Sequence, residues 1–319
     1  MHSERKLVVS HAPFWHDGGS IAARHYNILL AALIPVIAGI VTYGVPALGV
    51  VALAVSTAIG WEFLMNKITR RPVTVGDGNA ALTGLLLAML LPATMPWWVV
   101  VTGTFLAVVI CKQIFGGLGA NPFNPVLMGT AMLMTGWPML MDFNHMLADY
   151  VTGFNMVDPL WSAKYFGPET VASFTAGDLL LGKQAGGIGT AFGLGIIIGG
   201  FYLMIRGFIR WEIVLSFLVG VAVTALAFNM KNPDAYAGPV FHLLAGYTLA
   251  GAVFFATEDS SSPVNLTPML IYGVGGGVMT VLIRNIGVYV DGVVFAILVM
   301  NLINPLIDKI RPKAMGKVA

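Results

Sequence analysis

Charge is what this 319-residue chain has least of. Asp, Glu, Lys and Arg make up 10% of it, against 57% hydrophobic residues, where a soluble domain carries roughly 25% charge. That balance excludes an ordinary water-soluble fold. The one cysteine, Cys111, excludes a disulfide scaffold, a thiolate-ligated metal site and an iron–sulfur cluster built from this chain alone. It reads as a buried, inert thiol. The net charge is +2, and Lys and Arg are scattered rather than gathered in a stripe, so the footprint of a nucleic-acid binder is missing as well. No Gly-x-Ser-x-Gly elbow, Walker loop, His-Glu-x-x-His or carboxylate pair occurs, which argues against hydrolytic chemistry. The polar start, Met1 to Arg24 with His2, His11 and His16, lacks the short apolar run and cleavage site of a signal peptide.

What is present is a succession of apolar runs at 27–44, 47–65, 79–91, 97–115, 125–141, 188–205, 212–229, 239–257, 268–283 and 289–307, about the length that crosses a ~30 Å hydrocarbon core. The pattern predicts an all-α polytopic membrane protein with about ten transmembrane helices. Thirteen of the 17 Lys and Arg residues fall on one side of that topology; Lys164, Lys183, Lys231 and Arg284 fall on the other. The positive-inside bias therefore places both termini, 1–26 and 308–319, on the cytoplasmic side.

Residues 142–187 form the one long connection, an acidic outer-face loop, between halves of five segments each, 27–141 and 188–307. An odd number of crossings per half implies an inverted repeat. Gly84 and Pro96 are echoed at the same spacing by Gly251 and Pro263. Segments 79–91 and 125–141 are short, stopped or interrupted by Pro92, Pro125 and Pro138, and such broken helices are where a membrane protein can bind a ligand. The 17 Met read as lipid-facing filler, and Trp97, Trp98, Trp137 and Trp211 as interfacial belt residues.

The densest polar constellation runs from Lys112 through Gly116, Gly117 and Gly119 to Asn121, Asn124 and Pro125. It sets a glycine turn before two Asn at a helix start, where backbone N–H groups are free. The pair suits a planar, uncharged heterocycle such as an isoalloxazine, or it simply caps a broken helix. Asp77, between Gly76 and Gly78, either caps the next helix or meets a cation at the membrane edge. Glu258 and Asp259, before Ser260, Ser261 and Ser262, either guide a coupling cation or form a solvated helix end. Glu62 and His242 lie in or near apolar segments, where an ionisable group is a functional candidate and hydrogen-bonded helix packing the alternative. Asn301 and Asn304 sit near the same inner face as Asn121 and Asn124.

The runs Val73 to Gly78, Thr83 to Ala88, Lys112 to Gly119 and Asn121 to Pro125 together resemble the RnfD family, the D-type membrane subunits of the Rnf ion-translocating electron-transport complex. That family is related to the B-type (NqrB) component of the Na⁺-pumping NADH:quinone reductase. The resemblance continues through Asp178 to Gly182, Phe241 to Gly246, Phe254 to Thr257, Ser262 to Val264 and Met300–Asn301. It implies a ten-helix flavoprotein subunit, in a bacterial or archaeal cytoplasmic (inner) membrane, that passes electrons between ferredoxin and NAD while Na⁺ or H⁺ moves, with Fe–S and NAD-linked chemistry in partner subunits. It further implies non-covalent riboflavin at Asn121 and Asn124, with Gly117 and Gly119 alongside, and FMN held by a Thr phosphoester in an outer-loop motif.

Here the sequence departs from the pattern. Asp158 to Lys164 aligns best with that motif, so Lys164 occupies the acceptor position, and an amine cannot form the Thr ester. Covalent FMN is expected to be absent, with Lys164 left able to pair with the phosphate of a non-covalently held FMN. Asp77 and Glu258 are the candidates for ion coupling. The broken helices and inverted halves fit a secondary transporter of a neutral heterocycle as well, and a quinone-reactive subunit of a Na⁺-pumping NADH dehydrogenase differs from the redox reading only in electron acceptor.

Overall fold

The computed structural model describes residues 19–150, 153–154 and 156–310. The N-terminal residues His2, Arg5, Lys6, His11 and His16, and Arg311, Lys313 and Lys317 of the tail, lie outside the described residues, so the expected cytoplasmic placement of the termini falls there too. Every element among the described residues is helical: α1 (Ile21–Tyr43), α2 (Val45–Ile68), α3 (Asn79–Leu90), α4 (Trp97–Phe105), α5 (Pro125–Gly136), α6 (Phe143–Met146), α7 (Pro159–Phe166), α8 (Ala176–Leu180), α9 (Gly193–Ile205), α10 (Trp211–Lys231), α11 (Pro239–Leu244), α12 (Thr248–Ala250), α13 (Leu266–Asn285) and α14 (Val293–Ile307). Each of the ten apolar runs becomes helix over most of its length. This is an all-α polytopic membrane protein.

Four helices, α1, α2, α10 and α13, are long and apolar enough to cross a membrane on their own. Side chains such as Val41 (79% exposed), Val45 (81%) and Val223 (61%) face outward, an arrangement that lipid tolerates and water does not. Local chemistry sets the boundaries. Ser20 accepts from Ala23 N at 3.0 Å and starts α1; Gly44, at φ 72°, ends it, and a proline in the first turn of α2 restarts the chain.

The remaining apolar helices are shorter, and more of them than the two singled out by their prolines. α3 and α5 have 12 residues each, α9 has 13 and α14 has 15; 12 residues rise only ~18 Å. Helix ends therefore fall inside the bundle, and their orphan backbone groups need partners there. The last carbonyls of α3 show how this is met: Leu91 O accepts from Ile188 N, Met89 O from Gly189 N and Leu90 O from Tyr247 Oη. Residues 188–192, expected to open a helix, instead run irregularly as this cap, and α9 begins at Gly193.

A second departure is in the run 239–257, expected to be one segment. It breaks at Ala245–Tyr247, with Gly246 at φ 66°, between α11 and α12. A Cβ on Gly246 would overlap Asp291, Leu160 and Arg284, so the break is a site of close approach. Two stretches are wound wider, with i→i−5 bonds: Leu106–Gln113, which continues α4, and Gly251–Phe255, which continues α12. In these Ile114 N donates to Val109 O and Ala256 N to Gly251 O. Methionine also departs from expectation, since Met89 (0% exposed), Met95, Met269 and Met300 are core rather than lipid-facing. Their unbranched side chains fill irregular gaps.

The halves meet in two seams, α1 against α9 and α5 against α14. The first is close enough that glycine is required: a Cβ on Gly39 would overlap the carbonyl oxygen of Ile188, and one on Gly199 would sit 2.7 Å from Ala31 O. Asn124 N donates to Asn301 Oδ1 at 3.1 Å across the α5–α14 seam. The polar residues collect at the two ends of the bundle, a glycine-turn end (66–79, 112–124, 258–265) and a long-loop end (137–190, 232–247, 284–292). Trp98 and Trp137 meet edge-on at 5.5 Å at the long-loop end, while Trp211 lies at the other, as belt residues should.

Candidate functional site

At the glycine-turn end, Gly116, Gly117 and Gly119 all have positive φ (126°, 97° and 84°), a path closed to most residues. Arg71 Nη1 donates to Gly116 O at 2.7 Å and fixes the turn. The chain then reaches Asn121, whose Nδ2 donates to Phe123 O at 3.0 Å and to Glu258 Oε1 at 3.4 Å. Asn124 caps α5: its Oδ1 accepts from Val126 N and Leu127 N, and its Nδ2 donates to Phe255 O. Glu258 is no solvated helix end, for it also accepts from Ser260 Oγ, Ser261 N and Ser261 Oγ.

These elements border a cavity of about 430 Å³. Its walls are apolar, formed by Ile28, Leu82, Leu86, Leu118, Val253 and Phe254; its rim carries Arg24, His25, Asn79, Gly119, Thr257, Glu258 and Asp259. Arg24 pairs with Asp259 across the mouth. A chain of hydrogen bonds leads from the rim into the bundle. His25 Nε2 meets Asn79 Nδ2 at 3.2 Å, Lys112 Nζ donates to Asn79 Oδ1 and to Glu62 Oε2 at 2.8 Å, and Glu62 Oε1 accepts from Thr74 Oγ1, which accepts from Asn66. Lys112 and Glu62 are each 2% exposed, a buried pair that Asn79 and Thr74 also bond, as burial of charge requires.

The long-loop end holds a second buried pair. Arg284 Nη2 lies 2.9 Å from Asp291 Oδ1, and the guanidinium also donates to the carbonyls of His242 and Ala245. These are carbonyls that the break in 239–257 leaves without helical partners. Asp291 in turn accepts from Tyr247 N and Val293 N, capping α14. A cavity of about 280 Å³ adjoins it, with Trp161, Tyr165, Tyr247 and Tyr289 beside Asp142, Asp158 and Asp291. Burial pushes the Asp158 carboxyl up to about 7, against the lowering effect of Leu160 N; nearby Asp291 and Asp142 push the same way. Lys164 Nζ donates to Gly287 O and Tyr289 O, each at 2.7 Å, and straps α7 to the turn between α13 and α14. Burial lowers its pKa.

Of the residues expected to form a site, Gly119 and Glu258 line the large cavity and Asn121 stands one hydrogen bond behind it. Gly117 is held back toward Gln113 and Arg71, and Asn124 is spent on its cap. Asp77 Oδ1 accepts from Asn79 N at 2.8 Å, which is the helix-capping alternative, while its carbonyl lies 3.0 Å from His25 Nδ1. Asn301 and Asn304 lie at the same end as Asn121 and Asn124, both donating to Ser261 O. Lys164 is at the opposite end. Arg24 and His25 carried no signal in the sequence: they stand on α1, with His25 54 residues before Asn79 at the end of the Asp77 cluster, and no motif joins them.

The model of the NQR2, RnfD, RnfE family matches residues 8–316. The chain is 36% identical over 310 residues to the D-type subunit of the Na⁺-translocating ferredoxin:NAD⁺ oxidoreductase complex of Acetobacterium woodii, covering 96% of this chain and 94% of that one. It is 33% identical over 310 residues to the proton-translocating counterpart of Clostridium ljungdahlii, with 95% and 94% covered. To the corresponding D-type subunit of the ion-translocating oxidoreductase complex of Aeromonas salmonicida it is 33% identical over 345 residues, with 97% and 98% covered.

Proposed function

This chain belongs to the NQR2, RnfD, RnfE family, and from that premise we propose that it is the D-type membrane subunit of an ion-translocating ferredoxin:NAD⁺ oxidoreductase complex, relaying electrons by way of flavin. It lies in a cytoplasmic membrane with both termini on the cytoplasmic side, and partner subunits supply the Fe–S and NAD-linked chemistry. The cavity at the glycine-turn end carries this reading. Its volume is in the range of cofactor sites, and it joins apolar walls to a rim with few, convergent polar groups. Riboflavin suits it: Leu82, Leu86, Val253 and Phe254 offer faces to a planar ring, and Asn79, His25, Ser260 and Glu258 offer hydrogen-bond partners to a ring edge or a ribityl chain.

A bound flavin would supply one- and two-electron chemistry. The chain's own residues bind and orient. Asn121 holds the Glu258 carboxylate, Asp77 holds His25 through its carbonyl, and Lys112 brings a fixed positive charge to Asn79 at the cavity wall. Asp77 and Glu258 are the groups proposed for ion coupling. A carboxylate at the mouth offers a hard oxygen ligand to Na⁺ or an acceptor to H⁺, and replacing each with its amide should reduce coupled transport at unchanged electron flow.

Covalent FMN does not fit the long loop. The Lys164 amine forms no Thr-type phosphoester, and it is already engaged with two carbonyls. The decisive experiment purifies the intact complex, releases flavin with acid and inspects the denatured chain for fluorescence. Riboflavin in the acid fraction, a non-fluorescent chain, and loss of that riboflavin in Asn79→Leu or His25→Ala are expected. A complex without riboflavin overturns the relay.

A further inference from the structure

A third, smaller cavity of about 80 Å³ at the long-loop end is lined by Lys164, His242, Arg284 and Asn285, closed by Tyr236 and Phe241. Nothing in the electron-relay reading uses it. Its polar groups share unused hydrogen-bonding capacity, most of it on donors: the Lys164, Arg284 and Asn285 N–H groups and the one N–H of the neutral His242 ring. Both ring nitrogens of His242, a residue only 3% exposed, lack any hydrogen-bond partner, and so does the buried Nδ2 of Asn285. Lys164 donates two of its three N–H groups to carbonyls, and Arg284 Nη1 donates one of its two.

The charge is likewise one-sided. Arg284 is matched by Asp291, but Lys164 belongs to none of the four ion pairs among the described residues. Native proteins seldom leave buried polar atoms unpaired, and each such atom is destabilising unless something answers it. Several unanswered donors around one small, net-positive cavity call for an acceptor that carries charge.

We propose that this cavity is a binding site for a tetrahedral phosphate-type oxyanion, held by Lys164, Arg284, Asn285 and the His242 ring. The cavity has the dimensions of one such group and no room for a ring system beside it. The anion is therefore either free phosphate or the terminal phosphate of a larger molecule whose body stays outside. Binding there would tie α7, α11 and α13 together through one ligand.

The test uses the full-length protein in detergent, purified without phosphate or sulfate, and reads thermal unfolding at constant ionic strength against a chloride control. Inorganic phosphate should raise the unfolding temperature saturably. FMN stabilising where inorganic phosphate and riboflavin do not would identify the anion as the end of a nucleotide, and dihexanoyl phosphatidate alone doing so would identify a lipid headgroup. Asn285→Leu, which removes no hydrogen bond of the folded chain's Nδ2, should weaken the apparent affinity at least tenfold, and His242→Phe should do the same. No shift beyond chloride with any of the probes, or an equal shift in the Asn285→Leu and His242→Phe proteins, overturns the proposal.

Discussion

Two cations lie fully buried at opposite ends of this bundle, and the protein treats them differently. Lys112 answers to side chains, Glu62 and Asn79, in a network that continues through His25 to the rim of the large cavity. Arg284 answers to one side chain and two backbone carbonyls, those of His242 and Ala245. The ammonium is a compact charge whose partners can rotate around it, whereas the guanidinium is a rigid planar fork that holds several acceptors in fixed directions. The glycine-turn end is thus built from parts that can rearrange when a neighbour's charge changes. The long-loop end is built to hold a broken helix shut.

The contrast is broken most severely at Arg284. Replacing it with Met leaves Asp291 buried without its partner and leaves the His242 and Ala245 carbonyls to the Thr248 hydroxyl alone, so the loss should reach the upper end of the ~3–5 kcal/mol that removing one member of a buried pair costs. The double variant Arg284→Met, Asp291→Leu should recover little, because Tyr247 N and Val293 N lose their acceptor and the two carbonyls keep only the Thr248 hydroxyl. Lys112→Met should cost about 3 kcal/mol, and there the companion change Glu62→Leu should restore most of it, since the pair is bonded mainly to side chains. Chemical unfolding of the four proteins in detergent measures both recoveries, and equal recovery at the two ends would erase the distinction.

Two further effects sharpen it. Lys164→Met gives up two carbonyl bonds and should cost about 1–3 kcal/mol, with faster proteolysis confined to residues 156–190. The last effect is a slope. Asp158 has its folded pKa raised to about 7 from about 3.9 in an unfolded chain, so the native state binds more protons between these values. Stability should then decline as pH rises from about 4 to about 7 and level off above. Asp158→Asn should flatten that decline in a series of unfolding temperatures, while Lys112→Met should leave it in place.

Much of the fold was legible because apolar runs and prolines carry it. Pro92 and Pro125 mark real helix ends. The break at Gly246 was not legible: Phe241 to Ala250 contains no proline, and what permits the break is Arg284, thirty-eight residues downstream of it. The irregular start of the sixth run was hidden for the same reason, since residues 188–192 are shaped by the carbonyls of α3. At the site, the glycine turn announced Gly119, and the acidic run announced Glu258. Asn124 followed the plainer alternative of capping its helix. Arg24 and His25 reach the rim from α1 and Asn79 from α3, brought together by packing that no local pattern encodes.

The seams between the halves have a mechanical consequence. At Gly39 and Gly199 backbone lies directly on backbone, and Asn124 and Asn301 stitch the α5–α14 seam through a main-chain donor. A joint of this kind resists sliding, because no flexible side chain lies between the parts to absorb a shift. The rocking of one half against the other that carries a solute from face to face would have to pry these contacts open in every cycle. An electron relay asks for no such rocking: with these seams closed the chain would act as a strut between its two polar ends, and changes during turnover would be local to one end or the other.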